Sequence, residues 1–273
     1  MDKLAIVVLN YLNYKDTIEC VDSILKMKYR IQGVVIVDNA SDNKSYCRLH
    51  REYRHNNKII VVRTRKNMGF AKGNNVGIHI ARQRLQAEFV FVVNNDTIFR
   101  DEDFFDKMLG QYSTGIGVMG PEIHLKGNKI QDRFLVNLNM KDALKIYIRE
   151  FLAYRNKEIW QKVLFPTITW GNKKEVLHGC ALLFTPDFFE KYPGFYPKTF
   201  LYNEEGILYL MCKASGLEQK YVSNTYIYHK EDQSSEQSFH NDSQIMRSYR
   251  LQSYKYLLWW IWKVNIVKDK VKM

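Results

Sequence analysis

Phe89-Val90-Phe91-Val92-Val93 runs straight into Asn94-Asn95-Asp96-Thr97. A strand that is apolar at every position, rather than at alternate ones, is covered on both faces, as in a buried parallel sheet. The carboxylate that follows lies at the carboxyl edge of such a sheet, where open α/β folds hold ligands. Just upstream comes a glycine- and asparagine-rich stretch, Asn67-Met68-Gly69-Phe70-Ala71-Lys72-Gly73-Asn74-Asn75-Val76-Gly77. An earlier run, Val34-Val35-Ile36-Val37, likewise ends in polar residues, Asp38-Asn39-Ala40-Ser41. Polar strand ends gathered in this part of the chain suggest a nucleotide site with a metal in it.

Outward from these runs, strand and helix alternate. Leu4-Ala5-Ile6-Val7-Val8-Leu9 reads as a strand, and Ile18, Val21, Ile24 and Leu25 recur at helical spacing over residues 15–28. A polar helix is predicted near 42–55, a strand over 59–62 and a helix over 71–85. Such alternation predicts an α/β fold with a Rossmann-like, mostly parallel sheet flanked by helices. After Gly120-Pro121 the pattern loosens. A charged helix is predicted near 140–163, a strand at Ala181-Leu182-Leu183-Phe184, a turn at Pro193-Gly194, and a helix from about Glu205 closed by Gly216. The aromatic run Tyr221 to Tyr228 reads as a strand ending in His229. The expected organisation is one catalytic domain over residues 1–243 and an amphipathic helical tail over 244–273.

The 273 residues include 41 basic and 29 acidic side chains, a net charge of +12, which suits a polyanionic partner. The tail interleaves Lys255, Lys263, Lys268 and Lys270 with Trp259, Trp260 and Trp262. Its apolar stretch is shorter than the ~20 residues of a spanning helix, so an anionic membrane surface is expected rather than nucleic acid. The alternative is that its aromatics pack on the protein's own core. Cys20, Cys47, Cys180 and Cys212 show no paired spacing, and the first apolar run is too short for a signal peptide. The expected location is cytoplasmic, peripheral at the inner face of the cell membrane.

Each candidate site residue has a functional and a structural reading. Asp38 can accept a hydrogen bond from the N3–H of uracil or thymine, or form an Asx turn. Gly69, Gly73 and Gly77 either leave room for a ligand or let a helix approach the sheet, and Asn74 and Asn75 supply neutral donors and acceptors. No GxGxxG or P-loop pattern is present. Asp96 is a hard oxygen ligand for Mg²⁺ or Mn²⁺, or a helix cap. Glu204-Glu205 stabilises a helix N-terminus or provides a general base. His229 is a ligand or a structural histidine.

The ordered set resembles the family 2 glycosyltransferases with the GT-A fold, particularly rhamnosyltransferase-like bacterial enzymes of surface polysaccharide assembly. The resemblance rests on Ile6-Val7-Val8-Leu9-Asn10-Tyr11, Val37-Asp38-Asn39-Ala40-Ser41, the 67–77 stretch, Asn94-Asn95-Asp96, Gly179-Cys180-Ala181, Phe200-Leu201-Tyr202-Asn203-Glu204-Glu205 and His229. It implies a nucleotide-sugar site at Asn10, Tyr11, Asp38, Asn67, Gly69, Gly73, Asn74, Asn94 and Asn95. It also implies a metal on Asp96 and His229, and a catalytic pair Glu204 and Glu205. Here Asn94 replaces the first Asp of the DXD-type motif, and Glu205 stands where the family has Asp as base. The implied reaction is an inverting transfer from a UDP- or dTDP-type sugar to a glycan or lipid-linked hydroxyl, with Mn²⁺ or Mg²⁺. Trp170 and Tyr202 are candidate sugar-stacking groups. The rival classes are a nucleotidyltransferase, which would need a Gly-rich basic loop that Leu9-Asn10-Tyr11-Leu12 lacks, and a non-catalytic sugar-nucleotide-binding scaffold.

Overall fold

The computed structural model describes residues 2–127, 129–131, 134–137, 139–155, 173–230 and 243–271. Trp170, Lys272 and the end of the helix expected near 140–163 lie outside them. The first half alternates as the sequence predicts: β1 (Leu4–Asn10), α1 (Tyr14–Leu25), β2 (Gly33–Asp38), α2 (Ser45–Tyr53), β3 (Ile59–Arg63), α3 (Gly69–Arg84) and β4 (Phe89–Asn94). Then come β5 (Thr97–Ile98), α4 (Phe104–Leu109), β6 (Ile116–Leu125), β7 (Lys129–Ile130), β8 (Phe134–Asn137) and α5 (Met140–Tyr154). The rest is β9 (Lys173–Val176), β10 (Ala181–Phe184), α6 (Pro186–Lys191), α7 (Glu204–Ala214), β11 (Glu218–His229) and α8 (Ser243–Val271).

The main sheet has the order β3-β2-β1-β4-β10-β6-β11-β5, with β7 on β6, while β8 and β9 form a separate pair. The ladders β3/β2, β2/β1, β1/β4 and β6/β11 are parallel, and β10 runs antiparallel between β4 and β6. The continuous apolar runs now have their cause. Leu4, Ile6 and Val8 of β1 face one core with α1 and α4, and Ala5 and Val7 face another with α3, α7 and α8. Both faces of β1 are thus dry, and each fully buried Val, Ile or Leu contributes about 1.5–3 kcal/mol.

β6 passes through Gly120-Pro121, where the sequence gives only a break. Proline is tolerated because the β10 ladder reaches only Val118 and Met119, so no bond on that side needs the missing N–H. The glycine period of α3 is a close helix–sheet contact. A Cβ on Gly77 would fall 3.1 Å from Val37 Cγ2, and one on Gly73 2.7 Å from Leu9 Cδ1.

The tail is one helix, α8, packed on α5 and α7. Leu257, Trp260, Ile261 and Val264 lie in the core at helical spacing, whereas Trp259 and Trp262 are exposed. The expectation that all three tryptophans lie at a membrane interface is therefore corrected for Trp260. It is rotated about 100° from Trp259, which carries it under Tyr192 and Tyr196. No described helix is long and apolar enough to cross a membrane.

Candidate active site

Sheet register assembles the site. Asn10 pairs with Asp38, Leu9 with Asn94, and Asp38 with Arg63, so the polar ends of β3, β2, β1 and β4 form one row at the carboxyl edge. Asp38 is fully buried. Its Oδ2 accepts from Asn10 Nδ2 at 2.7 Å, and its Oδ1 accepts from the Ser41 N–H at 3.0 Å and lies 3.5 Å from Arg63 Nε. Asn10 Oδ1 in turn accepts from Thr17 Oγ1 at 2.8 Å. Tyr11 sits beside Leu12, whose left-handed φ of 63° brings its N–H to Ser41 Oγ at 2.9 Å.

Asn39 organises the start of α3. Its Oδ1 accepts from the Met68 N–H at 2.9 Å and its Nδ2 donates to Asn67 Oδ1 at 3.0 Å, which also accepts from the Gly69 N–H at 2.9 Å. Gly69 has φ 76°, and a Cβ there would collide with the Phe200 backbone, whose carbonyl accepts from the Phe70 N–H at 2.8 Å. Glycine thus ties the 67–77 stretch to the segment leading into Glu204. Asn74 is buried, with Nδ2 donating to the Phe70 carbonyl and Oδ1 without a hydrogen-bond partner. Asn95 turns away: its Nδ2 donates to the Asn13 carbonyl and to Thr17 Oγ1.

Asp96 and His229 come together from opposite ends of the chain. The β11/β5 ladder pairs His229 with Thr97, and the Lys230 N–H donates to the Asp96 carbonyl at 2.9 Å. Phe99, three residues on, packs 5.0 Å from Phe104 and 5.9 Å from Phe91, which anchors the segment. His229 Nε2 lies 3.3 Å from Asp96 Oδ1, near enough for an ion pair, yet that oxygen is buried with no aligned hydrogen bond. One carboxylate oxygen and one imidazole nitrogen converging on an unsatisfied spot fit a divalent cation, Mn²⁺ better than all-oxygen-seeking Mg²⁺. Among the described residues no group of three or more His, Cys, Asp or Glu forms a metal cage, so such an ion would draw its other ligands from substrate and water. Gln131 bridges His229 Nδ1 (3.3 Å) and His178 Nε2 (3.0 Å). Burial and then the His229 imidazole push the His178 pKa down to about 4, so it is neutral at pH 7.

A cavity of about 280 Å³ opens beside these groups, lined by Asn94, His178, Gly179, Glu204, Glu205 and Arg250 among others. Both carboxyls start α7, after Tyr202 and Asn203 in left-handed backbone (φ 77° and 60°). Burial, followed by the neighbouring Glu205, holds the Glu204 pKa well above the usual carboxylate range, and its Oε1 has no hydrogen-bond partner. Burial also raises Glu205, but its own N–H and that of Gly179 favour its ionised form. Burial thus lifts both neighbouring carboxyls, and the backbone donors on Glu205 suit it to take up a proton from a hydroxyl. Gly179 makes the fit possible, since a Cβ there would meet Glu205 Oε1 inside contact distance, with Cδ at 3.2 Å.

Gly179, His178, Arg63, Gln131 and Arg250 went unassigned by sequence reasoning. Gly179 lies within a quoted motif but without a role there, and Arg250 carries no sequence signal of its own.

The family model for glycosyl transferase family 2 matches residues 5–179. A low-salt glycan biosynthesis hexosyltransferase of Haloferax volcanii is 29% identical over 126 residues, 45% of this chain and 37% of that protein. Among solved structures, S. aureus TarS 1-349 in complex with UDP gives a TM-score of 0.53 at 17% identity, covering 84% of this chain and 60% of that one. The mannosyltransferase PcManGT from Pyrobaculum calidifontis, in complex with GDP-Man and Mn²⁺, gives 0.56 at 11% identity, covering 99% and 75%. At these identities the structures share the fold. The chain spans well under half the length of the curated relative.

Proposed function

The chain belongs to glycosyl transferase family 2, and from that premise we propose that it transfers a sugar, with inversion, from a nucleoside-diphosphate donor to a hydroxyl of a glycan or lipid-linked acceptor in surface polysaccharide synthesis. The observation that carries this reading is the cavity that Glu204, Glu205 and Asn94 line together, at the edge that also presents Asp96 and His229.

In this proposal the nucleotide lies along the β2–β1–β4 edge at Asp38, Asn10 and Tyr11, with Asn67, Gly69, Gly73, Asn74 and Asn94 shaping its surroundings. Arg63, whose Nη2 donates to the Ser41 carbonyl at 2.7 Å, fixes the strand end beside the base. Asp96 and His229 are the groups that would hold Mn²⁺ or Mg²⁺. When bound, the cation supplies positive charge against the diphosphate. Glu205 accepts the proton of the acceptor hydroxyl as its oxygen bonds to the anomeric carbon. The bond from that carbon to the diphosphate breaks, and the electron pair leaves with the nucleotide. One displacement inverts the carbon, and no covalent enzyme intermediate is needed. His178, kept neutral by its burial, adds no positive charge beside the reacting centre.

The proposed contact with an anionic membrane surface is supported by exposed apolar groups set among bases. Leu144, Ile148 and Phe151 lie on one face of α5 near Lys141 and Lys145, and Trp259 and Trp262 lie on α8 near Lys255 and Lys263. A peripheral place at the inner membrane face is the matching location.

The experiment is a donor panel: UDP-, dTDP- and GDP-sugars, each with and without Mn²⁺, with nucleoside diphosphate release as the readout. Metal-stimulated release from at least one donor is expected. Release of nucleoside monophosphate or sugar phosphate instead would indicate attack at phosphorus, and no turnover with any donor would refute the proposal.

A further inference from the structure

The cavity beside Glu205 is lined from α8 by two residues, Arg250 and Tyr254. They are held in register with the loop that carries the acid pair. Asn203 Nδ2 donates to Ser253 Oγ at 2.8 Å, with Ser253 fully buried. Phe200 stacks on Tyr249 at 4.3 Å with an interplanar angle of 14°. The Arg250 guanidinium lies 5.7 Å from the Tyr202 ring centroid. These contacts brace Tyr202 and Asn203 in a backbone conformation that non-glycine residues keep only when the surroundings enforce it.

Arg250 is only loosely held by the protein. Its Nε is buried without a hydrogen bond, and the Glu150 carboxylate is 3.9 Å away from that atom. The side chain is nonetheless 40% exposed. A partly exposed guanidinium that lines a cavity, with its one carboxylate partner at the outer limit of an ion pair, can present N–H donors to an oxyanion. Its position narrows which substrate it meets. Asn94, at the end of β4, faces the cavity from the nucleotide edge, whereas Arg250 and Tyr254 come from α8. A base must face the incoming hydroxyl, so the space between Glu205 and α8 belongs to the acceptor.

We infer that Arg250, with Tyr254 and Tyr202, forms an acceptor subsite for a hydroxyl compound carrying a phosphate or carboxylate close to the hydroxyl that is glycosylated. This rests on the transferase reading above. The guanidinium takes the oxyanion, and the tyrosine rings offer stacking surface and phenolic hydrogen bonds to the rest of the acceptor.

The test uses the full chain, a donor that it turns over, and three probes on one three-carbon scaffold: glycerol, glycerol 3-phosphate and glycerate. Stimulation of nucleoside diphosphate release gives an apparent acceptor KM for each. At least one anionic probe is expected to show a KM roughly tenfold to a hundredfold below that of glycerol, the range of one charged hydrogen-bonding pair. The two anions separate phosphate from carboxylate preference. Arg250→Gln should raise the anionic KM to that of glycerol while leaving donor Kd within about twofold, and Arg250→Lys should restore part of the preference. Equal KM values for all three probes with wild-type protein would overturn the inference without any variant. So would an Arg250→Gln protein that keeps the preference, or one whose donor Kd weakens as much as its acceptor KM, which would put the guanidinium on the donor diphosphate. If wild-type protein binds no nucleoside diphosphate, the transferase reading fails and takes this subsite with it.

Discussion

Adding one methyl group to Gly179 should disable the base without unfolding the protein. A Cβ at this position would lie inside contact distance of Glu205 Oε1, 3.2 Å from Cδ and 3.5 Å from Cγ. The carboxylate must then retreat by about 1 Å to recover van der Waals separation. Only the end of a flexible side chain has to move, so the stability cost should stay below about 1 kcal/mol. Misplacement of a reacting group by about 1 Å is worth roughly 10²-fold in rate, or about 2.7 kcal/mol of barrier. Gly179→Ala should therefore lower kcat about a hundredfold, with donor KM and Tm little changed. Glu205→Asp removes one methylene, a length of about 1.5 Å, and so makes room for the added methyl. In that background the same glycine substitution should cost less than about tenfold. Nucleoside diphosphate release for wild type, both single variants and the double variant closes the cycle, with an expected coupling above about 1.4 kcal/mol. An equal loss in both backgrounds, or wild-type turnover in Gly179→Ala, would refute the idea that the position of Glu205 sets the rate.

Asp96→Ala should abolish the Mn²⁺ dependence of nucleoside diphosphate binding by calorimetry and leave the thermal melt intact; metal-dependent affinity equal to wild type would remove Asp96 from the cation site. Glu204 has a raised pKa when folded, so the folded state holds a proton that the unfolded chain releases above about pH 4.5, and stability is lost as pH rises. The Tm advantage of Glu204→Gln over wild type should accordingly grow as pH rises above 4.5, and a difference constant with pH would contradict the burial argument. Trp260→Ala should cost about 3–5 kcal/mol as a core truncation. The exposed pair Trp259→Ser and Trp262→Ser should change the melt far less while reducing co-sedimentation with anionic liposomes, and unchanged sedimentation would exclude that face as a membrane contact.

How far the chain was legible depended on whether a residue's role is local. β1, β2 and β4 could be read because strands buried on both faces are apolar at every position. β6 could not, since Gly120-Pro121 imitates a break and only its unpaired flank explains the proline. α6, six residues capped by Thr185 with Pro186 behind it, is too short to show a period. Asp38, Asp96 and His229 were legible as strand ends, but sequence could not reveal that Asp38 would be fully buried against Asn10, Ser41 and Arg63. The three glycines of α3 left two readings open; Gly73 and Gly77 approach the sheet, whereas Gly69 permits contact with the Phe200 backbone. Gly179 against Glu205, and Ser253 against Asn203, join residues 26 and 50 positions apart, and no periodicity encodes such pairs. Trp260 and Trp259 are neighbours in sequence with opposite fates, decided by helix register alone.

The pH dependence of kcat/KM for sugar transfer, measured for wild type and for Glu205→Gln, tests the central claim most directly. Burial raises the Glu205 pKa, so wild-type activity should climb along an acidic limb lying above the ordinary carboxylate value of 4.5. Glu205→Gln should lose that limb and run roughly 10²–10⁴-fold slower across the range, at unchanged donor affinity. A Glu205→Gln enzyme that keeps both its rate and its acidic limb would show that the proton leaves the acceptor by another route.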